Sequence, residues 1–166
     1  MKKKLKRYNV VVDLERGLMV DFVAVVENPA MQKKFLALSK QEVRLKSVNE
    51  EKRELVGVVL EPNKPIYRNN GTEEYEIIFS EESVKKILLG FQKNGYQNNS
   101  NIGHEKILTL DGVTFYENWI VEDEKNDKSN FFGLDAKKGS WVTKMKVDDD
   151  TLWNEFIKTG ALTGFP

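Results

Sequence analysis

Turn-forming residues between short runs of β-branched and aromatic residues constrain the fold of this chain most. The triplet Asn-Asn-Gly at 69–71 precedes the strand-like run 74–79, and the pair Asp-Gly at 111–112 separates the runs 107–110 and 113–121. Asparagine and glycine tolerate the positive φ angles that tight hairpin turns require. The sequence therefore predicts antiparallel hairpins at both places.

Further strand-like segments bring the expected number of strands to about seven. Residues 8–12 and 19–26 are rich in β-branched and aromatic residues, and Gly17 marks a turn between them. Residues 54–60 form another apolar run, and 141–147 form the last one. Short strands joined by short turns indicate a mainly antiparallel sheet.

Two amphipathic segments predict helices. Ser80 can cap the first, which ends at Gly95, and the second begins near Asp149 or Asp150 and ends at Gly160. The apolar stripes expected in the core are Val84, Ile87, Leu88 and Phe91 in the first helix and Leu152, Trp153, Phe156 and Ile157 in the second. Many antiparallel strands with two helices predict an α+β domain, either a small barrel or a folded sheet with helices outside.

Length and composition favour one domain over residues 1–166 and exclude several functions. The chain has 166 residues, 40% of them hydrophobic, which is enough for one core. Its 26 basic and 26 acidic residues leave no net charge to attract nucleic acid or an anionic membrane. It has no cysteine, no secretion signal and no apolar run long enough to span a membrane.

The acidic clusters are better explained by local structure than by ligand binding. The three aspartates at 148–150 precede a predicted helix, where carboxylates cap amide groups, and they lack the spacing of a calcium loop. Residues 122–128 resemble a solvated turn between strands. No phosphate-binding glycine loop is present. With one histidine and no cysteine, only carboxylates could complete a metal site, so we expect neither a metal nor a cofactor.

The single histidine, His104, is the principal candidate for chemistry. An imidazole titrates near neutral pH and can act as a general base, but a lone His is more often a surface or hydrogen-bonded structural imidazole. Ser140 and Ser100 are poor candidates for a nucleophile because neither lies in a Gly-x-Ser-x-Gly turn. From the residues alone, both readings of His104 remain open.

A series of short segments nevertheless follows a recognisable order. The segments are 21–30, 56–62, 64–68, 75–79, 91–97, His104-Glu105, 117–121, 125–128, 133–135, 138–141 and 145–147. In this order and spacing they resemble the XkdF-like family of phage prohead serine proteases, which belongs to the assemblin type. The resemblance extends from Asp21 to Phe165.

The resemblance implies both a fold and an activity. The fold would be that of herpesvirus capsid proteases, a mostly antiparallel β-barrel of about seven strands with two or more surrounding helices. The activity would be peptide-bond hydrolysis inside the procapsid, in the host cytoplasm, on the scaffold protein or the major capsid protein precursor. His104 matches the family's catalytic histidine, which would take the proton from a serine. Assemblin relatives often dimerise, so a homodimer is an open expectation.

The sequence departs from the family pattern at one position. In the family, a block like Gly160–Phe165 runs directly into the nucleophilic serine, whereas residue 166 here is proline. We therefore expect this chain to be inactive alone, and whether it is an enzyme stays open. Three explanations of this departure stay open: a fragment that ends before the serine, a naturally short relative with a structural role in assembly, or a product of cleavage near its own end. The alternative function is a non-catalytic module for capsid assembly or scaffold binding.

Overall fold

The computed structural model describes residues 5–13, 23–25, 36–37, 52–98, 100–102 and 112–159. The strands in these ranges are β1 Lys6–Val10, β2 Val23–Val25, β3 Leu36–Ala37, β4 Glu54–Leu60, β5 Ile66–Asn69, β6 Glu74–Phe79, β7 Ser100–Ile102, β8 Val113–Ile120 and β9 Trp141–Val147. The helical segments are α1 at Glu81–Lys93, 3-10 helices at Tyr96–Asn98 and Lys128–Phe132, and a π-helix at Leu152–Ile157.

A four-stranded antiparallel sheet, in the order β3-β4-β9-β8, forms the centre of the described structure. Its strand β4 is buried along nearly its whole length, which explains why its sequence is continuously apolar rather than alternating. Side chains on one face, including Leu55 and Trp141, pack in a core with α1, and those on the other face, including Val56 and Val142, form a second core. The central sheet is therefore covered on both faces.

The remaining described strands form two smaller sheets. One has the order β1-β6-β5, in which β1 runs parallel to β6 and β5 runs antiparallel to it. The other pairs β2 with β7 in parallel. The hairpin predicted around residues 69–71 is confirmed, since Asn69 pairs with Glu74 and Gly71 has a φ of 89°.

The expected barrel is wrong. The described strands lie in three separate sheets of four, three and two strands, and no closed barrel of the assemblin kind is present among them. The turn predicted at Gly17 lies outside the described residues, and the strands on either side of it pair elsewhere, β1 with β6 and β2 with β7. Both pairings are parallel and join strands far apart in sequence, which local turn signals cannot indicate.

The first predicted helix is confirmed. The Ser80 hydroxyl accepts a hydrogen bond from the backbone N–H of Ser83 at 3.1 Å, which caps α1. The predicted stripe of Val84, Ile87, Leu88 and Phe91 is buried. Phe91 contacts the rings of Trp141 and Phe115, with centroid distances of 5.2 and 5.9 Å, so α1 is held against the central sheet by aromatic packing.

The second predicted helix begins where the sequence indicated. Asp149 Oδ1 accepts a hydrogen bond from the N–H of Leu152 at 2.5 Å, as expected for a capping carboxylate. The following turns have π-helical geometry, in which the N–H of Lys158 donates to the carbonyl of Trp153. Leu152 and Trp153 are buried, while Gly160 lies outside the described residues. None of the described helices is long and apolar enough to cross a membrane.

Candidate functional site

The predicted catalytic base, His104, lies outside the described residues, and its role therefore stays a prediction. The flanking described residues are Ile102, at the end of β7, and Gly112, just before β8. The strand predicted at 107–110 and the block at 160–166 lie outside them as well.

The structure argues against Ser140 as a nucleophile. Ser140 is completely buried at the start of β9, where its N–H donates to the carbonyl of Lys137 and its own carbonyl accepts from Val121. A substrate peptide cannot reach a hydroxyl enclosed in this way without opening the turn. Ser129 is also fully buried, and Ser100 is a residue of β7.

Residues 121–140 connect β8 to β9, and we call this segment the β8–β9 loop. Its two ends are joined by backbone hydrogen bonds. The N–H of Gly139 donates to the carbonyl of Val121 at 2.7 Å, and the N–H of Val121 donates to Ser140 at 3.0 Å. These bonds continue the ladder between the two strands and close the loop at its base.

Side chains within the β8–β9 loop hydrogen-bond to its own backbone. Asp123 Oδ1 accepts from the N–H of Lys125 at 2.8 Å. The side chain of Asn130 donates to the carbonyl of Glu124 at 2.7 Å, and Glu124 Oε1 accepts from the N–H of Lys138 at 2.9 Å. The turn of charged residues predicted at 122–128 is confirmed, but it is a hydrogen-bonded structure rather than merely a solvated one.

A hydrogen bond between Trp119 and Asp127 ties the loop to β8. The indole N–H of Trp119 donates to Asp127 Oδ1 at 3.1 Å, and the same oxygen accepts from the N–H of Ser129 at 2.7 Å, which caps the 3-10 helix. Partial burial by itself would raise the pKa of the Asp127 carboxyl, but the hydrogen bonds from Ser129 and Trp119 outweigh it and lower that pKa. The carboxylate form is therefore the one that this arrangement stabilises.

Glu117 lies on the same face of β8 as Trp119. A register shift at Tyr116 separates Phe115, which packs in the core with α1, from Glu117, which pairs with Lys144 of β9. The carboxylate of Glu117 forms ion pairs with Lys144, at 2.9 Å, and with Lys128. Burial alone would raise the pKa of Glu117, but the two lysines lower it by hydrogen bonding and charge.

These five residues, Glu117, Trp119, Asp127, Lys128 and Lys144, are called the Trp119 cluster below. The Lys128 ammonium also lies 4.0 Å from the centroid of the Trp119 ring. The two carboxylates and the two ammonium groups interact with one another, and the cluster contains no hydroxyl or thiol nucleophile. Its arrangement holds the β8–β9 loop against the sheet and does not form a catalytic dyad.

Sequence patterns did not indicate the Trp119 cluster, although its members lie in segments that carry the resemblance. Residues 117–121, 125–128 and 138–141 are the segments concerned. The structure brings all three together, and Trp141 Nε1 also donates to Asn118 Oδ1 at 3.0 Å. Alternation along a strand is consistent with Glu117 and Trp119 sharing one face, but no local pattern indicates that Asp127 lies within hydrogen-bond distance of Trp119.

Arg53 is a second residue that sequence patterns did not indicate. Its guanidinium lies 2.5 Å from Asp150 Oδ1 and donates to the carbonyl of Asp148 at 3.3 Å. Its own carbonyl accepts from the N–H of Val147 at 2.9 Å, and its φ is 52°. Arg53 thereby joins the start of β4 to the residues that begin the last helical segment.

A cavity of about 370 Å³ lies between the first turn of α1 and the end of β1. Its hydroxyl groups are engaged, since Ser83 Oγ donates to the carbonyl of Val10 at 3.0 Å and Ser80 caps the helix. Lys86, also in its wall, pairs with Glu82 at 2.7 Å. The cavity brings together no base and nucleophile. Within the described ranges no group of three or more His, Cys, Asp or Glu could hold a metal ion.

Comparison with protein families gives the class of this chain. Residues 42–166 match the model of a family of phage serine proteases. Because the match covers most of the sequence, the chain belongs to that family, which is described as "Putative phage serine protease XkdF". The resemblance noted from the ordered segments is thereby confirmed, although the match begins at residue 42 and not at Asp21. The comparisons with curated proteins and with solved structures give no match.

Proposed function

We propose that this chain is a phage capsid-maturation protease domain whose chemistry is serine-dependent hydrolysis of scaffold and capsid-precursor peptide bonds. The observation that carries the proposal is the family match over residues 42–166, because that family is described as a phage serine protease. The setting would be the procapsid in the host cytoplasm. The partners would be the scaffold protein and the major capsid protein precursor.

In this mechanism His104 is the general base. Its imidazole takes the proton from the serine hydroxyl as the oxygen attacks the scissile carbonyl carbon, and returns that proton to the leaving amine when the peptide bond breaks. Water then hydrolyses the acyl-enzyme, again with the imidazole as base. Proline occupies position 166 and has no hydroxyl, so we propose that this chain by itself does not hydrolyse peptides.

Several of the described serines are unsuitable as nucleophiles, which supports that second part of the proposal. The exposed Ser80 uses its hydroxyl to cap α1, where it accepts from the N–H of Ser83. Ser129 and Ser140 are completely buried, and Ser83 is nearly so, with its hydroxyl donating to the carbonyl of Val10. None of these three is presented to a substrate peptide. A hydroxyl placed at residue 166 is therefore the most direct way to supply the nucleophile.

The test compares four chains for labelling by a fluorophosphonate probe, which reacts with serines activated by a base. The unaltered chain should not react, Pro166→Ser should gain labelling, and the double variant Pro166→Ser, His104→Ala should lose most of it. Lys125→Ala in the Pro166→Ser background is a matched surface control and should label normally. Equal labelling with and without His104 would refute the assignment of the base. Cleavage of a capsid-precursor peptide by the unaltered chain would refute the proposed inactivity.

The second candidate function is a non-catalytic module for capsid assembly or scaffold binding, and Pro166 is the observation that favours it. In this case the unaltered chain should sediment with scaffold or procapsids while leaving their polypeptides intact. Pro166→Ser should then gain no labelling that depends on His104. Failure to sediment with either partner would remove this candidate.

A further inference from the structure

Strand β1 leaves one edge unpaired in the described part of the chain. It lies at the end of the order β1-β6-β5, so β6 pairs with only one of its sides, and at its last residue the carbonyl of Val10 accepts from Ser83 Oγ. Residues 6–9 are all exposed, and Val11, just beyond the strand, has 79% of its surface exposed. An exposed strand edge offers a row of backbone donors and acceptors to another strand.

The cations of β1 do not protect this edge as edge lysines usually do. Lys6 forms an ion pair with Glu73 at 3.1 Å, and Arg7 pairs with Glu76 on β6 at 2.7 Å. Arg7 is therefore drawn towards an acidic residue of β6, and Lys6 towards the residue just before β6. The charge that would repel an incoming strand is largely neutralised.

Symmetry and charge restrict how β1 could pair with the β1 of a second copy. A two-fold axis perpendicular to the sheet makes the pairing antiparallel and places one residue opposite itself. An axis at Lys6 or Arg7 would place like charges directly opposite each other, which is destabilising. An axis at Asn9 would leave much of the strand without a partner. An axis at Tyr8 pairs all of Lys6–Val10 and opposes no like charges.

We propose that two copies of this chain associate through antiparallel pairing of β1, centred on Tyr8. The two three-stranded sheets then form one continuous six-stranded sheet. Arg7 lies opposite Asn9 of the second copy, and Leu5 lies opposite the exposed Val11. This inference does not rest on the proposed function.

Apolar contacts at both ends of the pairing favour this axis. Leu5 is half-buried and Val11 is exposed, and the two-fold axis brings them together twice. Tyr8, with 45% of its surface exposed, already contacts the ring of Tyr75 edge-on at a centroid distance of 5.6 Å. The second Tyr8 would extend this aromatic contact across the axis.

Cysteine cross-linking tests the register, because the chain has no cysteine of its own. Residues opposite each other in an antiparallel pair have Cα atoms about 4.5–5.5 Å apart, within the range that a disulfide bridges. Tyr8→Cys should form a disulfide-linked dimer under mild oxidation. Asn9→Cys should form much less, because its counterpart is displaced by two residues, about 7 Å along the strand. Asn69→Cys, exposed on the opposite edge of the same sheet, is the control for random collision.

Charge substitution at Asn9 gives an independent test that requires no oxidation. Asn9→Glu places a carboxylate opposite Arg7 of the second copy and should strengthen self-association several-fold, whereas Asn9→Arg should weaken it by a similar factor. The measurement is the concentration dependence of the weight-average mass in sedimentation equilibrium, between 19.2 kDa and twice that value. Asn69→Arg should leave the association unchanged.

The outcomes separate the proposal from its alternatives. Preferential cross-linking through Tyr8, with opposite effects of Glu and Arg at Asn9, supports it. Stronger cross-linking through Asn9 than through Tyr8 would overturn the register. A monomeric mass for the unaltered chain and for Asn9→Glu at all concentrations, with circular dichroism showing folded protein, would overturn the dimer itself.

Discussion

Replacing Asp127 by Ala should destabilise the protein through two separate losses. One is the cap of the 3-10 helix, where Asp127 accepts from the N–H of Ser129 at 2.7 Å, and such caps contribute about 1 kcal/mol. The other is the carboxylate acceptor of the Trp119 indole at 3.1 Å, a hydrogen bond to a charged group worth about 1.5–3 kcal/mol. Because Asp127 is only half-buried, we expect the combined loss near the lower end, about 2–3 kcal/mol.

The assay is urea unfolding followed by far-ultraviolet circular dichroism, which does not depend on the tryptophans themselves. Asp127→Asn retains an acceptor oxygen and should lose less than Asp127→Ala. A double-mutant cycle with Trp119→Phe should show a coupling of about 1 kcal/mol, since the two residues share a hydrogen bond. A change within about 0.5 kcal/mol for Asp127→Ala, the range of ordinary surface substitutions, would refute this reasoning.

Two further predictions concern the base of the β8–β9 loop and its response to acid. Gly139 has a φ of 81°, and a Cβ placed there would lie 2.5 Å from Cγ of Glu81, so Gly139→Ala should lower the unfolding free energy by about 2 kcal/mol. Adding Glu81→Ala should restore part of that loss in the same urea assay, and no restoration would argue against the contact. Folding lowers the pKa values of Asp127 and Glu117. Their contribution to the unfolding free energy is therefore fully present above their ordinary pKa values, 3.8 for Asp127 and 4.5 for Glu117, and is lost as the pH falls through the lower folded values. Stability should therefore decrease below about pH 4.5, and less steeply in Asp127→Asn; an unchanged slope in that variant would contradict the assignment.

The helices could be predicted because their signals are local. Ser80 lies three residues before the amide that it caps, and the apolar stripe of α1 repeats within thirteen residues. Asp149 likewise marks the start of the last helical segment. The π-helical geometry beyond it could not be foreseen, since the spacing of Leu152 and Trp153 suits an ordinary α-helix equally well.

Strand pairing was less predictable because it is decided by contacts distant in sequence. The pairing of β5 with β6 was found because a three-residue turn signal joins them. The parallel pairing of Lys6 with Tyr75 has no such signal, and the barrel inferred from strand number and resemblance failed for the same reason. The number of strands in a sequence does not determine how many sheets they form.

The family could be recognised from the order of short segments, but the contacts among them could not. Trp119 and Asp127 occur in separate segments, and only the path of the β8–β9 loop brings them to 3.1 Å. The role of His104 remains a prediction that rests on the resemblance, and the labelling experiment addresses it directly.

The hydrogen bonds that join Val121 to Gly139 and Ser140 also have a consequence for how this family can vary. Because the strand ladder closes the base of the loop, the register of β8 against β9 is fixed before the chain enters the rest of the loop. Phe131 lies in the 3-10 helix but has 79% of its surface accessible, so its side chain can be exchanged without opening the core. Exchanges of exposed side chains in this loop, including those that attach a fluorescent label, should therefore leave the central sheet intact.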